Sequence, residues 1–291
     1  MNNQLQSKPK FSLAIQSDGY KKLINNTLGD SKRAAKFIAA ISSAVATNAS
    51  LQQCDAGSIL SGALLGEALN LSPSPQLGQY YLVPYDKKQY NQQTKTWEVI
   101  ESNAQFQLGY KGYIQLAIRS GQYKDIDVIE VREGEYKGRD RITGKHQFEF
   151  IEDEVERENK EIIGYMAYFE YLNGFYKNLY WSKEKMQKHA LEYSQAYASD
   201  VKKNTNYSFW SKDFNGMAFK TMLRQLISKW GVMSIDMQEA LTKDMSVVKD
   251  DGTYDYIDNQ TTSPQIITGE TLNTEVQKVN EEVKQVNINE L

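Results

Sequence analysis

The chain has 291 residues, 40% of them hydrophobic, and its 34 basic and 37 acidic residues give a formal net charge of -3. A chain of this size can bury one substantial core, so we expect one main domain with appendages. The single cysteine, Cys54, excludes an intramolecular disulfide and a thiolate zinc cage and indicates a reducing compartment. No apolar run approaches the roughly 20 residues of a membrane span, so a cytoplasmic protein without membrane contact is expected.

The first third of the chain predicts helices followed by a hairpin. Residues 1–28 are polar and weakly patterned, which predicts a flexible arm. Apolar residues at helical spacing predict helices over residues 31–48 and 55–69, the second with Asp55 as its N-cap. Strands are predicted over residues 79–85 and 97–108, joined by a polar loop over residues 87–96.

The middle of the chain predicts strands, and helices return from residue 182 to about residue 241. Asn173 and Gly174 predict a hairpin turn between the last two strands. The predicted strands cover residues 126–132, 146–151, 162–171 and 176–181. The pattern as a whole predicts an α+β fold, an antiparallel sheet packed with helices, in a main domain over residues 29–242.

A short helix after the hairpin places two cations and an amide on one side. Lys111, Gln115 and Arg119 are spaced i, i+4 and i+8, with Gly112 beside them, while apolar residues occupy the other side. No acid occurs between residues 103 and 124. Such a stripe suits a polyanion, and the glycines would let a backbone come close.

A second helix, over residues 213–230, repeats this arrangement. One arc carries Met217, Lys220, Thr221, Arg224 and Ser228, and Asp213 is interpreted as an N-terminal cap or a first-turn acid. For either helix alone, an ordinary amphipathic helix with a solvated basic side is an equal alternative. The agreement of the two helices favours a binding function.

Charge is distributed unevenly along the chain. Residues 176–230 carry ten cations and four acids, a net +6, whereas residues 231–291 carry four cations and twelve acids, a net -8. A basic body followed by an acidic end is typical of a nucleic-acid binder, although solubility alone also explains the acidic end. Residues 243–291 are predicted to be a mostly disordered tail and a candidate partner-binding segment.

Aromatic residues alternate with the cations of the basic body. A base stacked on such a ring contributes about 1 to 3 kcal/mol without sequence preference, although most rings belong to the core. The candidates that follow from these aromatics and their neighbouring cations are Tyr110, Trp181, Lys183, Lys212 and Phe214.

Signatures of enzymes are weak. The chain has no phosphate-binding Gly-x-x-x-x-Gly-Lys-Ser/Thr loop, so ATP is not expected as a cofactor. A magnesium-dependent nuclease is one alternative, and a purely structural oligomeric scaffold is another. The nuclease would use the acidic run at Glu149, Glu152, Asp153, Glu154, Glu156 and Glu158, which otherwise reads as a solvated loop.

Several long motifs occur in an order that resembles one protein family. They are Leu-Gly-Gln-Tyr-Tyr-Leu-Val-Pro-Tyr at 77–85, Gln-Phe-Gln-Leu-Gly-Tyr-Lys-Gly-Tyr-Ile-Gln-Leu at 105–116, Arg-Ser-Gly-Gln-Tyr at 119–123, Val-Ile-Glu-Val-Arg-Glu-Gly-Glu at 128–135 and Lys-Trp-Gly-Val-Met-Ser-Ile-Asp-Met-Gln at 229–238. Over residues 56–240 the chain resembles the RecT family of phage and prophage single-strand annealing proteins. The segment over residues 87–103 is longer than is usual between the corresponding two strands of that family.

The resemblance implies an activity and partners. It implies ATP-independent binding of single-stranded DNA and annealing of complementary strands in phage-type homologous recombination and repair, in a bacterial host. Rings or helical filaments, a partner exonuclease and a host single-strand DNA-binding protein are expected, with no required cofactor and Mg²⁺ at most a modulator of annealing. Matched by motif, the residues of a DNA groove would be Gln107, Lys111, Arg119, Lys220, Arg224 and Lys229.

Overall fold

The computed structural model describes residues 11–248 and 254–256. Helices and antiparallel sheets are mixed, which confirms the predicted α+β class. The helices are α1 (Phe11–Ala14), α2 (Asp18–Leu28), α3 (Ser31–Ala46), α4 (Ala56–Ala68), α5 (Tyr110–Arg119), α6 (Glu154–Glu158), α7 (Lys183–Tyr193), α8 (Gln195–Lys203), α9 (Phe209–Lys212), α10 (Phe214–Trp230) and α11 (Ile235–Lys243). The strands are β1 (Tyr80–Asn91), β2 (Thr96–Leu108), β3 (Tyr123–Arg132), β4 (Tyr136–Arg139), β5 (His146–Phe148), β6 (Ile162–Tyr171), β7 (Tyr176–Ser182), β8 (Ser246–Val248) and β9 (Tyr254–Tyr256).

The strands form three sheets, in all of which the paired strands are antiparallel. The first sheet has the order β1-β2-β8-β9, the second β3-β6-β7, and the third is the β4-β5 hairpin. Helices α5 and α10 pack against each other and against the second sheet. Their apolar faces therefore join the central strand β6 in the main hydrophobic core.

The N-terminal helices form a second core. Phe11, Ile15 and Ile24 are almost completely buried, and they pack with apolar residues of α3 and α4. The sequence predicts a flexible arm over residues 1–28, but residues 11–28 contain the packed helices α1 and α2. Burying a large apolar side chain contributes about 1.5 to 3 kcal/mol, so these three anchors favour packing of the two helices on the rest of the fold.

The β1-β2 hairpin is longer than the sequence predicts. Its strands pair from Tyr80 and Leu108 outward to Asn91 and Thr96, so the predicted loop over residues 87–96 shrinks to residues 92–95. The side chain of Asn91 accepts hydrogen bonds from two backbone N–H groups of that turn. The sequence does not predict this extension, because its residues are mostly polar and such residues have a low propensity for strands.

Helix α4 is fixed to the hairpin by its first turn. The Asp55 side chain accepts a hydrogen bond from the Ser58 N–H at 3.2 Å, as predicted for an N-cap. The hydroxyl of Ser58 in turn accepts from the Ala104 N–H of β2 at 2.9 Å in a buried position. The cap therefore also ties the helix to the sheet.

The segment after α11 continues the fold. Ser246 pairs with Phe106 of β2, and both Ser246 and Val247 are buried. The predicted tail begins at residue 243, but residues up to 248 belong to the packed body. The predicted helical spacing over residues 274–286 lies outside the described residues. Within the described ranges, none of the helices has the length and apolar character that a membrane crossing requires.

We expect Gly66→Ala to lower the free energy of unfolding by about 1 to 3 kcal/mol, because overpacking a core forces side chains or backbone to shift. A methyl group at Gly66 would overlap the buried ring of Tyr80, which stacks on Phe106 at a centroid distance of 5.2 Å. Urea unfolding followed by circular dichroism measures the change.

Gly19→Ala is the matched control, since a methyl group there meets nothing within 4 Å. Replacing glycine by alanine inside α2 should raise the free energy of unfolding by about 0.5 kcal/mol. Equal stability of the two variants would contradict the close approach of α4 to β1.

Candidate nucleic-acid interface

Helix α5 is held against the start of β1 by its glycine-rich first turn. The Gly109 N–H donates to the Gln79 carbonyl oxygen at 2.8 Å. A methyl group at Gly112 would overlap that same oxygen. The backbone that lies close to these glycines is therefore that of Gln79 in the same chain. The expectation that the glycines leave room for the backbone of a ligand is wrong for Gly112.

The predicted polar face of α5 is exposed. Lys111, Gln115 and Arg119 are all exposed, and their helix buries Tyr113 and Leu116 on its other side. Lys111 extends over the Tyr110 ring, with its ammonium 5.9 Å from the ring centroid. This face presents two cations to solvent on a helix that is anchored in the core.

Arg119 is exposed, and it also forms hydrogen bonds with backbone carbonyl groups of another segment. Its guanidinium donates to the carbonyl oxygens of Leu69 at 2.5 Å and Asn70 at 3.3 Å, which follow the C-terminus of α4. A cation at this end of a helix satisfies carbonyls that lack partners and opposes the negative end of the helix dipole. Arg119 therefore joins α4 to α5 as well as contributing charge.

Helix α10 begins as predicted, but its polar arc is not fully solvated. Asp213 caps the helix by accepting from the Gly216 N–H at 2.9 Å. Only 7% of the Lys220 side chain is exposed, and its ammonium lies 2.9 Å from a carboxylate oxygen of Asp244. The prediction that Lys220 lies on a solvent-facing basic arc is therefore wrong, because a buried acid from outside the helix draws it inward.

The Asp244 side chain accepts four hydrogen bonds from groups on β2, α5 and α10. Its Oδ1 accepts from the Leu108 N–H at 2.8 Å and from Lys220 Nζ at 2.9 Å. Its Oδ2 accepts from the Tyr113 hydroxyl at 3.0 Å and from Arg224 Nη1 at 3.0 Å. We call Asp244 and these four partners the Asp244 cluster.

Burial and charge shift the pKa values of Lys220 and Tyr113. Burial lowers the pKa of Lys220, and the charge of Asp244 opposes that decrease. Burial also raises the pKa of Tyr113 well above its ordinary value, and the charge of Asp244 adds to the increase. The phenol therefore stays protonated and can donate to the carboxylate throughout the neutral range.

The other predicted contacts divide into exposed cations and partly buried groups. Lys183, Lys212 and Lys229 are exposed, and the ammonium of Lys229 lies 4.7 Å from the Trp230 ring centroid. The partly buried groups are Gln107, Tyr110, Trp181, Phe214, Met217 and Thr221. Phe214 and Tyr110 are packed against other aromatic rings and the main core.

Trp181 contacts Lys185, which is not among the residues predicted from the sequence. The ammonium of Lys185 lies 4.2 Å from the Trp181 ring centroid, and His189 meets the same ring edge-on at 5.3 Å. Burial lowers the pKa of His189, Glu192 opposes this decrease, and the charges of Lys185 and Arg224 add to it. Arg224 therefore lies within electrostatic reach of this aromatic group.

Two acids of the run, Glu149 and Glu156, form ion pairs with neighbouring lysines. Asp153 caps α6, and Arg157 pairs with the buried Glu135 at 2.6 Å, which fixes the helix to β3 and β4. Glu149 pairs with Lys137 at 3.0 Å. In the part of the chain that the structure describes, no three His, Cys, Asp or Glu side chains are grouped so that they could hold a metal ion.

Asp244 is the main residue that sequence reasoning missed. It was assigned to the acidic tail, and its partner Leu108 N–H is 136 residues away. Its only local signal is the apolar pattern of Met245 and Val247, which indicates a strand. A strand signal does not reveal that the preceding acid is buried.

The structure thus combines an α+β fold with two exposed cations on one face of α5. The model of the RecT family matches residues 35–261. The uncharacterized protein YqaK of Bacillus subtilis (strain 168) is 38% identical over 244 residues, which cover 83% of this chain and 74% of that protein. Protein RecT of Escherichia coli (strain K12) is 29% identical over 200 residues, which cover 67% of this chain and 65% of that protein.

The chain belongs to the RecT family, which confirms the resemblance that its motifs predicted. The family connects it with phage-type recombination and single-strand annealing. RecT proteins are annealing proteins rather than enzymes in the ordinary sense.

We expect Asp244→Asn to lower the free energy of unfolding by about 3 kcal/mol, because it leaves the buried Lys220 ammonium without its counter-charge. The matched control is Asp236→Asn, since Asp236 is exposed in the first turn of α11. Urea unfolding of both variants measures the difference. A loss of stability no larger than that of the control would contradict the buried cluster.

Proposed function

We propose that this protein binds single-stranded DNA and anneals complementary strands without ATP, as an oligomer. Family membership supports this function, and the observation that carries the DNA-binding part is the exposed face of α5. There, Lys111 and Arg119 flank Gln115 on a helix whose other side is buried. A rigid cationic face of this kind suits a chain of phosphates.

The proposed mechanism is physical rather than covalent. Cations of the protein bind phosphates of the first strand and release counterions. The bases remain accessible, so a second strand is tested by Watson–Crick pairing rather than by side chains. Sequence specificity then belongs to the DNA.

The proposed partners follow from the family. They are single-stranded DNA, the annealed duplex intermediate and further copies of the chain in a ring or filament. A partner exonuclease and a host single-strand DNA-binding protein are further proposals. No cofactor is required in this scheme, and Mg²⁺ acts at most as a modulator.

Lys111→Ala should weaken the binding of single-stranded DNA and flatten its salt dependence. Removal of one phosphate contact lowers the slope of log K against log salt by about 0.7 for a single strand. Lys111 is exposed, so the free energy of unfolding should not change. Fluorescence anisotropy of a labelled oligothymidylate across a salt series measures the slope.

Lys22→Ala is the matched control, because it removes one exposed lysine from α2, which packs in the N-terminal core. Its salt slope should equal that of the unsubstituted protein. Identical slopes for the Lys111 and Lys22 variants would remove α5 from the proposed interface.

A fluorescence annealing assay tests the function itself. Two complementary oligonucleotides, one with a fluorophore and one with a quencher, should anneal faster with the protein and without ATP, in the presence or absence of Mg²⁺. Large assemblies without faster annealing would support the scaffold alternative. Shortening of labelled DNA in Mg²⁺ would support the nuclease alternative, and intact strands would dispose of it.

A further inference from the structure

The three charges of the Asp244 cluster differ sharply in their access to solvent. Lys220 and Arg224 are positive and Asp244 is negative, so the cluster carries a net charge of about +1. The exposed fraction of the side chain is 7% for Lys220, 0% for Asp244 and 39% for Arg224. A ligand that approaches from solvent therefore meets Arg224 first.

Arg224 is among the DNA-groove residues that the family resemblance implies, and we propose that Asp244 and Lys220 are positioning residues that hold its guanidinium in place for a phosphate of single-stranded DNA. This inference rests on the proposed function and deepens it. It gives different roles to Lys220 and Arg224, the two cations that the sequence places on one arc of α10: Arg224 binds DNA, and Lys220 supports Arg224.

Asp244 can orient Arg224 because it is itself held rigidly. The Leu108 N–H and the Tyr113 hydroxyl both donate to its carboxylate, and both belong to the core. A guanidinium is planar, so fixing its Nη1 on that carboxylate restricts the directions in which the rest of the group can point. A contact that is already oriented loses less conformational entropy when a ligand binds.

Lys220 supplies the counter-charge that this arrangement needs. A carboxylate with no exposure is costly unless it is paired and hydrogen-bonded. Arg224 is partly exposed, and a phosphate would draw on the same guanidinium. The buried ammonium of Lys220 remains on the other oxygen of Asp244, so the acid keeps a partner when DNA binds.

Direct competition between a phosphate and Asp244 is the opposing explanation. Movement of Asp244 out of the cluster is opposed by the segment that follows it, because Ser246 pairs with Phe106 and Val247 is buried. It would also abandon the Leu108 N–H and the Tyr113 hydroxyl, which lie in the interior. A polar group left buried without a partner is unfavourable, so the geometry favours positioning over displacement.

The first test compares the salt dependence of two variants. Arg224→Gln should weaken binding of a labelled oligothymidylate about tenfold and lower the salt slope by about 0.7. Lys220→Met should lower the slope less than Arg224→Gln does, because it disturbs the support of the phosphate contact without removing the group that makes it, and it also lowers stability. A slope lowered equally by both substitutions would overturn the proposal.

The second test depends on the sign of an effect. Asp244→Asn removes a negative charge near the proposed interface, so electrostatics alone, or competition, would strengthen DNA binding. Positioning predicts weaker binding by the folded protein, and it predicts that Arg224→Gln has a smaller effect in the Asp244→Asn background. Tighter binding by Asp244→Asn would overturn the proposal in favour of competition.

If a substituted protein does not fold, a measurement on the unsubstituted protein still tests the proposal. Lysine acetylation, read by peptide mass spectrometry, should modify Lys111 in the free protein and less in the oligothymidylate complex. Lys220 should remain unmodified in both states. Modification of Lys220 in the complex would show that the cluster opens, which contradicts positioning.

The experiments distinguish a failure of the proposed function from a failure of the proposed positioning role of Asp244 and Lys220. If the unsubstituted protein does not bind oligothymidylate, the proposed function fails. If it binds, and Lys111→Ala flattens the salt dependence, but Lys220 and Arg224 behave alike, only the division of roles in α10 fails.

Discussion

A buried carboxylate needs opposite charge and hydrogen-bond donors around it, and Asp244 imposes this condition on several elements at once. Its partners come from the end of β2, from α5 and from α10. The segment after α11 must therefore pack against all three. The relative placement of the two helices that carry the candidate interface thus depends on an acid that belongs to neither of them.

This constraint changes how the charge of α10 should be counted. By sequence, Lys220 and Arg224 add two positive charges to a basic body, but one carboxylate lies between them. The field that DNA experiences near this helix is closer to that of one cation. On α5, by contrast, Lys111 and Arg119 stay exposed, and the bonds of Arg119 to backbone carbonyls leave its charge in place. The α5 face is thus the stronger source of positive potential.

Features that depend on neighbouring residues in the chain could be predicted from the sequence. The periodicity of α5 and α10, the caps at Asp55 and Asp213, and the antiparallel pairing around Asn173 all follow from short-range rules. The buried position of Lys220 could not, because a helical arc only ranks residues by direction. Whether a direction leads to water depends on what packs there, and Asp244 lies 24 residues further along the chain.

The same distinction explains the glycines at the start of α5. Their small size predicts that a backbone comes close, and the close backbone is that of Gln79. This contact fixes the first turn of α5 against β1, while Arg119 fixes its last turn to the end of α4. A helix held at both ends cannot turn its polar face toward the core without breaking both contacts. The orientation of Lys111 toward solvent is therefore a consequence of backbone packing, and the cations of α5 are pre-organised before any ligand arrives.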